Sequence, residues 1–170
     1  FDLSALTGAN GFKLNAIAAY DYSGHSVSGV GDVNGDGIDD LIIGADRGDP
    51  NGGVSRESYV VFGSSAGFAA SFELSALNGA NGFKLNAIAA YDYSGHSVSG
   101  VRVVTSDGVD DLTSGADRGD PNGGVSRESY VVFGPSAWFP PSFSLSPPHG
   151  PPAFVPHAIR CCVFRAPSAP

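Results

Sequence analysis

The sequence repeats itself at a fixed distance. Residues 1–63 and 72–134 align without a gap at an offset of 71 positions, and 54 of the 63 aligned residues are identical. A fixed period of this kind indicates a repeat architecture, in which each unit buries its apolar faces against its neighbours. The chain is therefore expected to build one structural unit twice, so each candidate site in the first copy has a counterpart in the second.

The C-terminal segment, Pro135–Pro170, holds 10 of the 12 prolines in the chain. At the same offset it still matches 12 of the 36 residues in Ser64–Ser99, which indicates the decayed start of a third repeat. We expect it to be irregular and disordered, because proline lacks the N–H that strand pairing needs. The predicted organisation is a first repeat at 1–71, a second at 72–134 and a proline-rich tail at 135–170.

Each repeat contains short segments that favour β-strands. Alternating and β-branched residues mark His25–Val30, a continuous apolar run marks Asp40–Gly44, and Glu57–Gly63 and Gly11–Ala18 are further candidates. Turn-forming clusters separate them, and no segment shows a long helical period. Four short strands per unit predict the blades of a β-propeller. The expected fold is all-β: an incomplete propeller of about two four-stranded antiparallel blades with an irregular tail.

Composition excludes several other classes. A net charge of −8 makes nucleic acid an unsuitable partner. No apolar run approaches the roughly 20 residues of a membrane span. The only cysteines, Cys161 and Cys162, are adjacent, so they predict no disulfide framework. Because the sequence has no Met and begins in mid-pattern at Phe1, we expect a fragment.

A loop in the first repeat carries oxygen ligands at alternate positions. Asp32, Asn34 and Asp36 are followed by a glycine and then by Asp40, and the main-chain carbonyl of Ile38 lies between. Alternate residues of a tight loop can turn inward together, and Ca²⁺ takes about six to eight oxygen ligands in a flexible shell. The spacing therefore predicts a calcium site.

Other interpretations of this loop explain less of it. Mg²⁺ prefers a small octahedral shell with retained waters, and zinc prefers Cys and His, which are absent nearby. An EF-hand needs a carboxylate at the twelfth loop position, where Ile43 stands here. A metal-free hairpin turn would account for one or two of the oxygen-bearing residues, but not for four of them in register.

The second copy of the loop has lost half of these side-chain ligands. Val103 and Thr105 stand where the first repeat has Asp32 and Asn34, and Arg102 adds a positive charge beside them. Three donors remain: Asp107, the carbonyl of Val109, and Asp111. They fall short of a calcium shell, so this site is predicted to be empty.

The strand after the second loop has changed as well. Thr113 and Ser114 replace Ile42 and Ile43, which removes apolar contact and introduces two hydroxyls that need partners. We therefore expect the second blade to be weakened.

The segment "SGHSVSGVGDVNGDGIDDLIIGAD", Ser23–Asp46, resembles an FG-GAP repeat, the unit of the integrin alpha-chain β-propeller, and especially the tandem repeats of large bacterial extracellular proteins. The resemblance implies a loop that joins two strands of a blade and binds Ca²⁺ through the positions of Asp32, Asn34, Asp36, Ile38 and Asp40. Two positions depart from the family pattern: Ser23 stands for the Phe of "FG" and Asp46 for the Pro of "GAP". The family's propeller has about seven blades, so two repeats need neighbouring repeats to complete it.

The expected function is that of a non-catalytic, calcium-binding propeller segment in an extracellular, secreted or cell-surface, adhesion or interaction protein. Its expected partners are neighbouring propeller repeats and a protein or carbohydrate ligand. The alternative is the accessory propeller part of a secreted hydrolase or lyase, whose catalytic part lies outside this chain.

Several other motifs are better explained structurally. The tripeptides Arg47-Gly48-Asp49 and Arg118-Gly119-Asp120 spell an integrin ligand, but glycine and aspartate are expected in any polar turn. Ser26 lacks the G-x-S-x-G context of a hydrolase nucleophile. His25 and His96 are expected to pack or to face solvent, and Asp39 is expected to face solvent or to lie just outside the ligand shell of the loop. A set of aromatic residues is assigned to the core, with sugar binding by exposed rings on a blade face as the alternative: Phe12, Tyr20, Tyr22, Tyr59 and Phe62.

Overall fold

The computed structural model describes residues 2–45, 47–48, 56–87, 91–102, 104–119, 127–134, 139–145 and 162–163. Within these ranges the regular structure is β, apart from short 3-10 turns at Leu3–Ala5 and Leu74–Ala76, and contains no α-helix. None of the described segments forms a helix that is long and apolar enough to cross a membrane. The all-β prediction is confirmed.

Eleven short strands follow one another along the described chain. Those that begin in the first repeat are β1 (Lys13–Asn15), β2 (Ser23–Gly31), β3 (Asp40–Ala45), β4 (Glu57–Val61) and β5 (Ser71–Glu73), the last of which extends into the second. Those of the second copy are β6 (Gly82–Asn86), β7 (Ser94–Val101), β8 (Asp111–Ala116) and β9 (Glu128–Val132). The tail contributes β10 (Ser142–Ser144) and β11 (Cys162–Val163).

The strands form two main sheets and a short parallel pair. The first sheet has the order β10-β6-β4-β3-β2, in which β2, β3, β4 and β6 are antiparallel and β10 joins β6 in parallel. The second is antiparallel, with the order β11-β9-β8-β7. The fourth antiparallel strand of the first sheet therefore comes from the second copy of the sequence. Sheets and sequence repeats are out of phase, and no described sheet closes on itself.

The central strands are buried as their apolar runs predict. All of β4 is buried, and so is β3 except for Leu41, which is 38% exposed. The two faces of β3 serve different cores. Ile42 joins the cluster between the two main sheets, whereas Ile43 joins Tyr59 in a second cluster on the opposite face.

The core between the sheets joins the two repeats. Val30 and Val33 of the first repeat share one cluster with Leu112, Tyr130 and Val132 of the second. Burial of each large apolar side chain contributes about 1.5–3 kcal/mol relative to exposure. The junction between repeats is therefore part of the main apolar core.

The substituted strand β8 keeps the pairing of its counterpart. Its register with β9 repeats that of β3 with β4 at the 71-residue offset. Ser114 is buried, and its Oγ accepts a hydrogen bond from the Gly95 amide at 3.0 Å. Thr113 is half-buried, and its Oγ1 donates to the Ser99 carbonyl at 3.3 Å. Both hydroxyls have partners, so the weakening of this blade stays a prediction about stability.

The start of the tail continues the repeat pattern. Ser142 pairs with Lys84, as Ser71 pairs with Lys13 one repeat earlier, and Phe139 and Leu145 are buried. These residues take the place of their counterparts in spite of the prolines around them. Most of 135–170 lies outside the described residues, so the expectation of a disordered tail stays a prediction.

The aromatic residues assigned to the core divide into two groups. Tyr59 and Phe62 are buried, and Phe12 stacks on Phe68 with ring centroids 4.1 Å apart. Tyr20 and Tyr22 are 81% and 52% exposed, so the prediction is wrong for these two. Both residues have left-handed backbones, with φ values of 70° and 50°, and lie in the connection that precedes β2.

Candidate metal site

The predicted loop joins β2 to β3, and Asp32 organises it. Its Oδ1 accepts hydrogen bonds from the amides of Gly35 at 2.7 Å and Asp36 at 3.0 Å, and its Oδ2 accepts one from Gly37 at 2.7 Å. Gly35 and Gly37 have φ values of 78° and 86°, which most side chains disfavour. The glycines thus let successive amides turn toward one carboxylate.

Two more of the predicted ligands turn into the same loop. The Asn34 Oδ1 accepts from the Asp36 amide at 2.9 Å, and the Asn34 Nδ2 donates to the Asp36 Oδ2 at 3.0 Å. The Asp36 Oδ1 accepts from the amide of Ile38 at 2.9 Å. One amide is therefore shared by oxygens of Asp32 and Asn34, and the structure brings together three of the predicted side-chain ligands.

Asp40 lies beneath the loop and holds it by two hydrogen bonds, which we call the brace. Its side chain is fully buried, and its two oxygens accept hydrogen bonds from the amides of Val33 at 3.0 Å and Gly63 at 2.8 Å. Burial above all, together with the charges of Asp36 and Asp32, raises the pKa of Asp40 to about 6, against the effect of these two hydrogen bonds. The residue predicted to close a metal shell thus ties the loop to the end of β4.

The chemistry of these donors suits a hard cation. The described residues contain no group of three or more Asp, Glu, His and Cys side chains arranged to hold a metal ion. The loop instead combines two carboxylates with an amide oxygen and main-chain groups, which are all oxygen donors. The repulsion of Asp40 by Asp32 and Asp36 is a local excess of negative charge that a divalent cation would relieve.

The second loop keeps the brace. The Asp111 carboxylate accepts from the amides of Val104 at 2.5 Å and Gly134 at 3.0 Å, which are the counterparts of Val33 and Gly63. The brace therefore does not depend on the residues that differ between the loops.

The upper part of the second loop differs. The Asp107 Oδ1 accepts from the Val109 amide at 3.0 Å, and this bond, with a second from the Thr105 hydroxyl, lowers the pKa of Asp107. Ser106 replaces Gly35 and is held at a φ of 63°, a strained value for a residue with a β-carbon. Val103 lies outside the described residues.

The candidate catalytic residues are engaged in contacts between the repeats. The Ser26 hydroxyl donates to the Gly95 carbonyl at 2.8 Å. The rings of His25 and His96 lie 5.1 Å apart, and the His96 Nδ1 is 3.0 Å from an Arg56 guanidinium nitrogen. These contacts support the structural interpretation of the three residues.

The described part of each Arg-Gly-Asp tripeptide belongs to a turn. The Arg47 guanidinium lies 4.8 Å from the centre of the Tyr22 ring, and the Gly48 carbonyl accepts from the Arg56 amide at 2.7 Å. Asp49 and Asp120 lie outside the described residues. The second copy has the same two contacts, from Arg118 to the Tyr93 ring at 4.6 Å and from the Arg127 amide to Gly119 at 2.7 Å.

Sequence reasoning missed one contact of the loop. The Asp110 Oδ2 accepts a hydrogen bond from the Asp32 amide at 3.1 Å, and the Asp110 amide donates to the Asp32 carbonyl at 3.1 Å. Its counterpart Asp39 is exposed, as expected. One signal was available: the aspartate pair at 39–40 recurs at 110–111 in a loop where five of the ten residues have changed.

A comparison with protein families identifies this region. Residues 23–61 match the family model of the FG-GAP repeat. The match spans β2, the candidate loop, β3 and β4. No curated protein matches the chain. The chain therefore contains an FG-GAP repeat, formed by residues 23–61.

Proposed function

We propose that the first loop binds one Ca²⁺ ion. The side chains of Asp32, Asn34 and Asp36 and the main-chain carbonyl of Ile38 would hold it, and Asp40 would complete or support the shell from below. The observation that carries this proposal is the convergence of Asp32 and Asn34 oxygens on a single amide, that of Asp36. All the donors are oxygens, which suits calcium better than zinc.

Calcium would act here as a structural ion. It would supply positive charge where Asp32, Asp36 and Asp40 are crowded, and so hold the β2–β3 connection against the rest of the sheet. The hydrogen bonds from the amides of Val33 and Gly63 to Asp40 would hold the base of the loop in place before the ion binds. A ligand that binds only the folded state stabilises it by mass action.

We further infer that the chain is a segment of an integrin-like β-propeller in an extracellular adhesion or interaction protein, without a catalytic role. The antiparallel set β2, β3, β4 and β6, with the second sheet packed against it, supports an arrangement of blades. Other repeats would complete the ring. Exposed loops, including those that carry Tyr20 and Tyr22, would meet a protein or carbohydrate ligand.

Thermal unfolding of the full chain tests the calcium proposal. Calcium should raise the melting temperature relative to excess chelator, by an amount that grows with its concentration. The Asp36→Ala variant should show no such shift, because it loses a carboxylate of the shell. The matched Asp107→Ala variant, changed at the same position of the second loop, should keep it. An equal calcium shift in the two variants would contradict the assignment.

A further inference from the structure

The second repeat contacts the first through hydrogen bonds to the main chain of Asp32. Asp110 uses two groups for this contact: its carboxylate accepts from the Asp32 amide and its own amide donates to the Asp32 carbonyl, both at 3.1 Å. Asp110 directly precedes β8, and Asp32 directly follows β2. Two hydrogen bonds to the main chain of Asp32, one from the amide and one to the carboxylate of Asp110, therefore join equivalent loops of successive repeats.

This contact requires a glycine at residue 31. Gly31 has a φ of 70°, and a β-carbon placed there would lie 2.0 Å from the Asp110 Oδ2 and 2.6 Å from its Cγ. Gly29 pairs with Leu41 and Gly31 with Asp40, so Val30 is an extra residue in β2. Such a bulge bends the strand end and favours a left-handed glycine. The bulge and the glycine together make room for the Asp110 carboxylate.

The second repeat lacks this arrangement. Arg102 stands at the position of Gly31, and it is not among the residues with a left-handed backbone. Strand β7 ends at Val101, which pairs directly with Asp111, so β7 has no bulge at its end, and its register shift lies earlier, between Ser94 and Ser97. The end of β7 therefore lacks the left-handed residue and the bulge that receive Asp110 at the end of β2.

The valine that follows the docking position is buried in the first repeat and exposed in the second. Val33 is 0% exposed, because it joins the core shared with the second repeat, whereas its counterpart Val104 is 46% exposed. The face that the first repeat buries at the junction is thus open on the second repeat.

We propose that the first aspartate of each pair, Asp39 or Asp110, is the group by which a repeat docks on the repeat before it. The glycine at residue 31 leaves room for this aspartate. Arg102, at the same position of the second repeat, prevents a following repeat from docking there in this way. Asp39, which is exposed here, would then dock on a preceding repeat. That repeat would carry Gly-Asp at the positions of Gly31-Asp32 in this chain. The inference rests on the proposed stacking of blades, but docking uses main-chain atoms of Asp32 and does not need calcium.

Three glycine variants separate the effects that make up the contact. Gly31→Ala introduces both a strained φ and a clash. Gly24→Ala introduces only the strained φ, since Gly24 has a φ of 93° and its β-carbon would meet open space. Gly29→Ala introduces neither. Native-state hydrogen exchange of the Asp32 and Asp110 amides, measured in chelator, reports the docking bonds directly.

Only Gly31→Ala should lose protection, by roughly tenfold or more, at both amides together. Protection retained in Gly31→Ala, or lost equally in Gly24→Ala, would overturn the docking role. Should Gly31→Ala fail to fold, Asp110→Ala and the matched Asp39→Ala decide the question. The first should expose the Asp32 amide and the second should leave it protected.

Restoring the glycine tests the role of Arg102. Arg102→Gly should let the second repeat of one chain receive Asp39 of another chain. The average mass of the variant in sedimentation equilibrium should therefore rise with protein concentration, with or without calcium. The wild-type chain and the double variant Arg102→Gly, Asp39→Ala should not show this rise. An Arg102→Gly chain that stays monomeric, or a double variant that associates equally, would overturn the proposal, while the calcium titrations would be unaffected.

Discussion

At the scale of single residues, Asp40 is the most deeply buried member of the candidate site. Its carboxylate is buried and receives the amides of Val33 and Gly63, and Asp111 does the same with Val104 and Gly134 in the second loop. A buried hydrogen-bond donor left without its partner costs about 1–3 kcal/mol. These aspartates therefore fix the end of one strand to the loop that precedes another.

The brace predicts a large loss of stability on its removal. Asp40→Ala and Asp111→Ala should each lower the free energy of unfolding by about 2–4 kcal/mol in chelator, because two amides lose their acceptor. Urea denaturation measures the effect, with Asp39→Ala as the exposed control within about 0.5 kcal/mol of wild type. A loss confined to calcium-containing buffer would instead indicate that Asp40 serves only as a ligand.

At the scale of the strand, burial depends on the next repeat. Ile42 is 0% exposed because the second sheet covers its face, whereas Thr113, at the same position of β8, is only half-buried. The same change of side chain should therefore have different costs in the two strands. This context also explains how β8 keeps its register with a threonine at that position.

A reciprocal pair of substitutions tests this dependence. Ile42→Thr should lower the free energy of unfolding by about 2 kcal/mol or more, since it removes apolar contact from a filled core. Thr113→Ile should change it by less than about 0.5 kcal/mol, because its face lacks a covering sheet among the described residues. Equal and opposite effects in urea denaturation would show that the two strands are equally covered.

Local signals in the sequence located β2, β3 and β4, because alternation and apolar runs act over a few residues. They also located the oxygens of Asp32, Asn34 and Asp36, which a tight glycine loop brings together. They did not identify β6 as the fourth strand of the first sheet, since that pairing joins different repeats. The role of Asp110 was missed for the same reason. The bracing role of Asp40 could not be predicted, because a metal ligand and an acceptor for two main-chain amides can both be a carboxylate at this position.

At the scale of the whole molecule, the two repeats share a fold but are expected to differ in calcium binding. The second loop retains its brace and its strands, while the upper ligands have changed to Val103 and Thr105. The fold of a repeat therefore persists when two of its four predicted side-chain ligands are replaced. Calcium would then stabilise the chain from the first repeat alone.

Rebuilding the second loop should restore a site in part. Val103→Asp with Thr105→Asn returns the two missing side-chain oxygens, and we expect a second, weaker calcium site in calorimetric titration. Adding Arg102→Gly and Ser106→Gly should strengthen it, because a positive charge and a strained φ are removed. The same additions without the two ligands form the control, which should show no second site.

Calorimetric titration of calcium into the full chain shows whether the first loop alone binds the ion. We expect one site per chain, its loss in Asp36→Ala and its retention in Asp107→Ala. Two equivalent sites per chain, or heats unchanged by Asp36→Ala, would contradict this expectation.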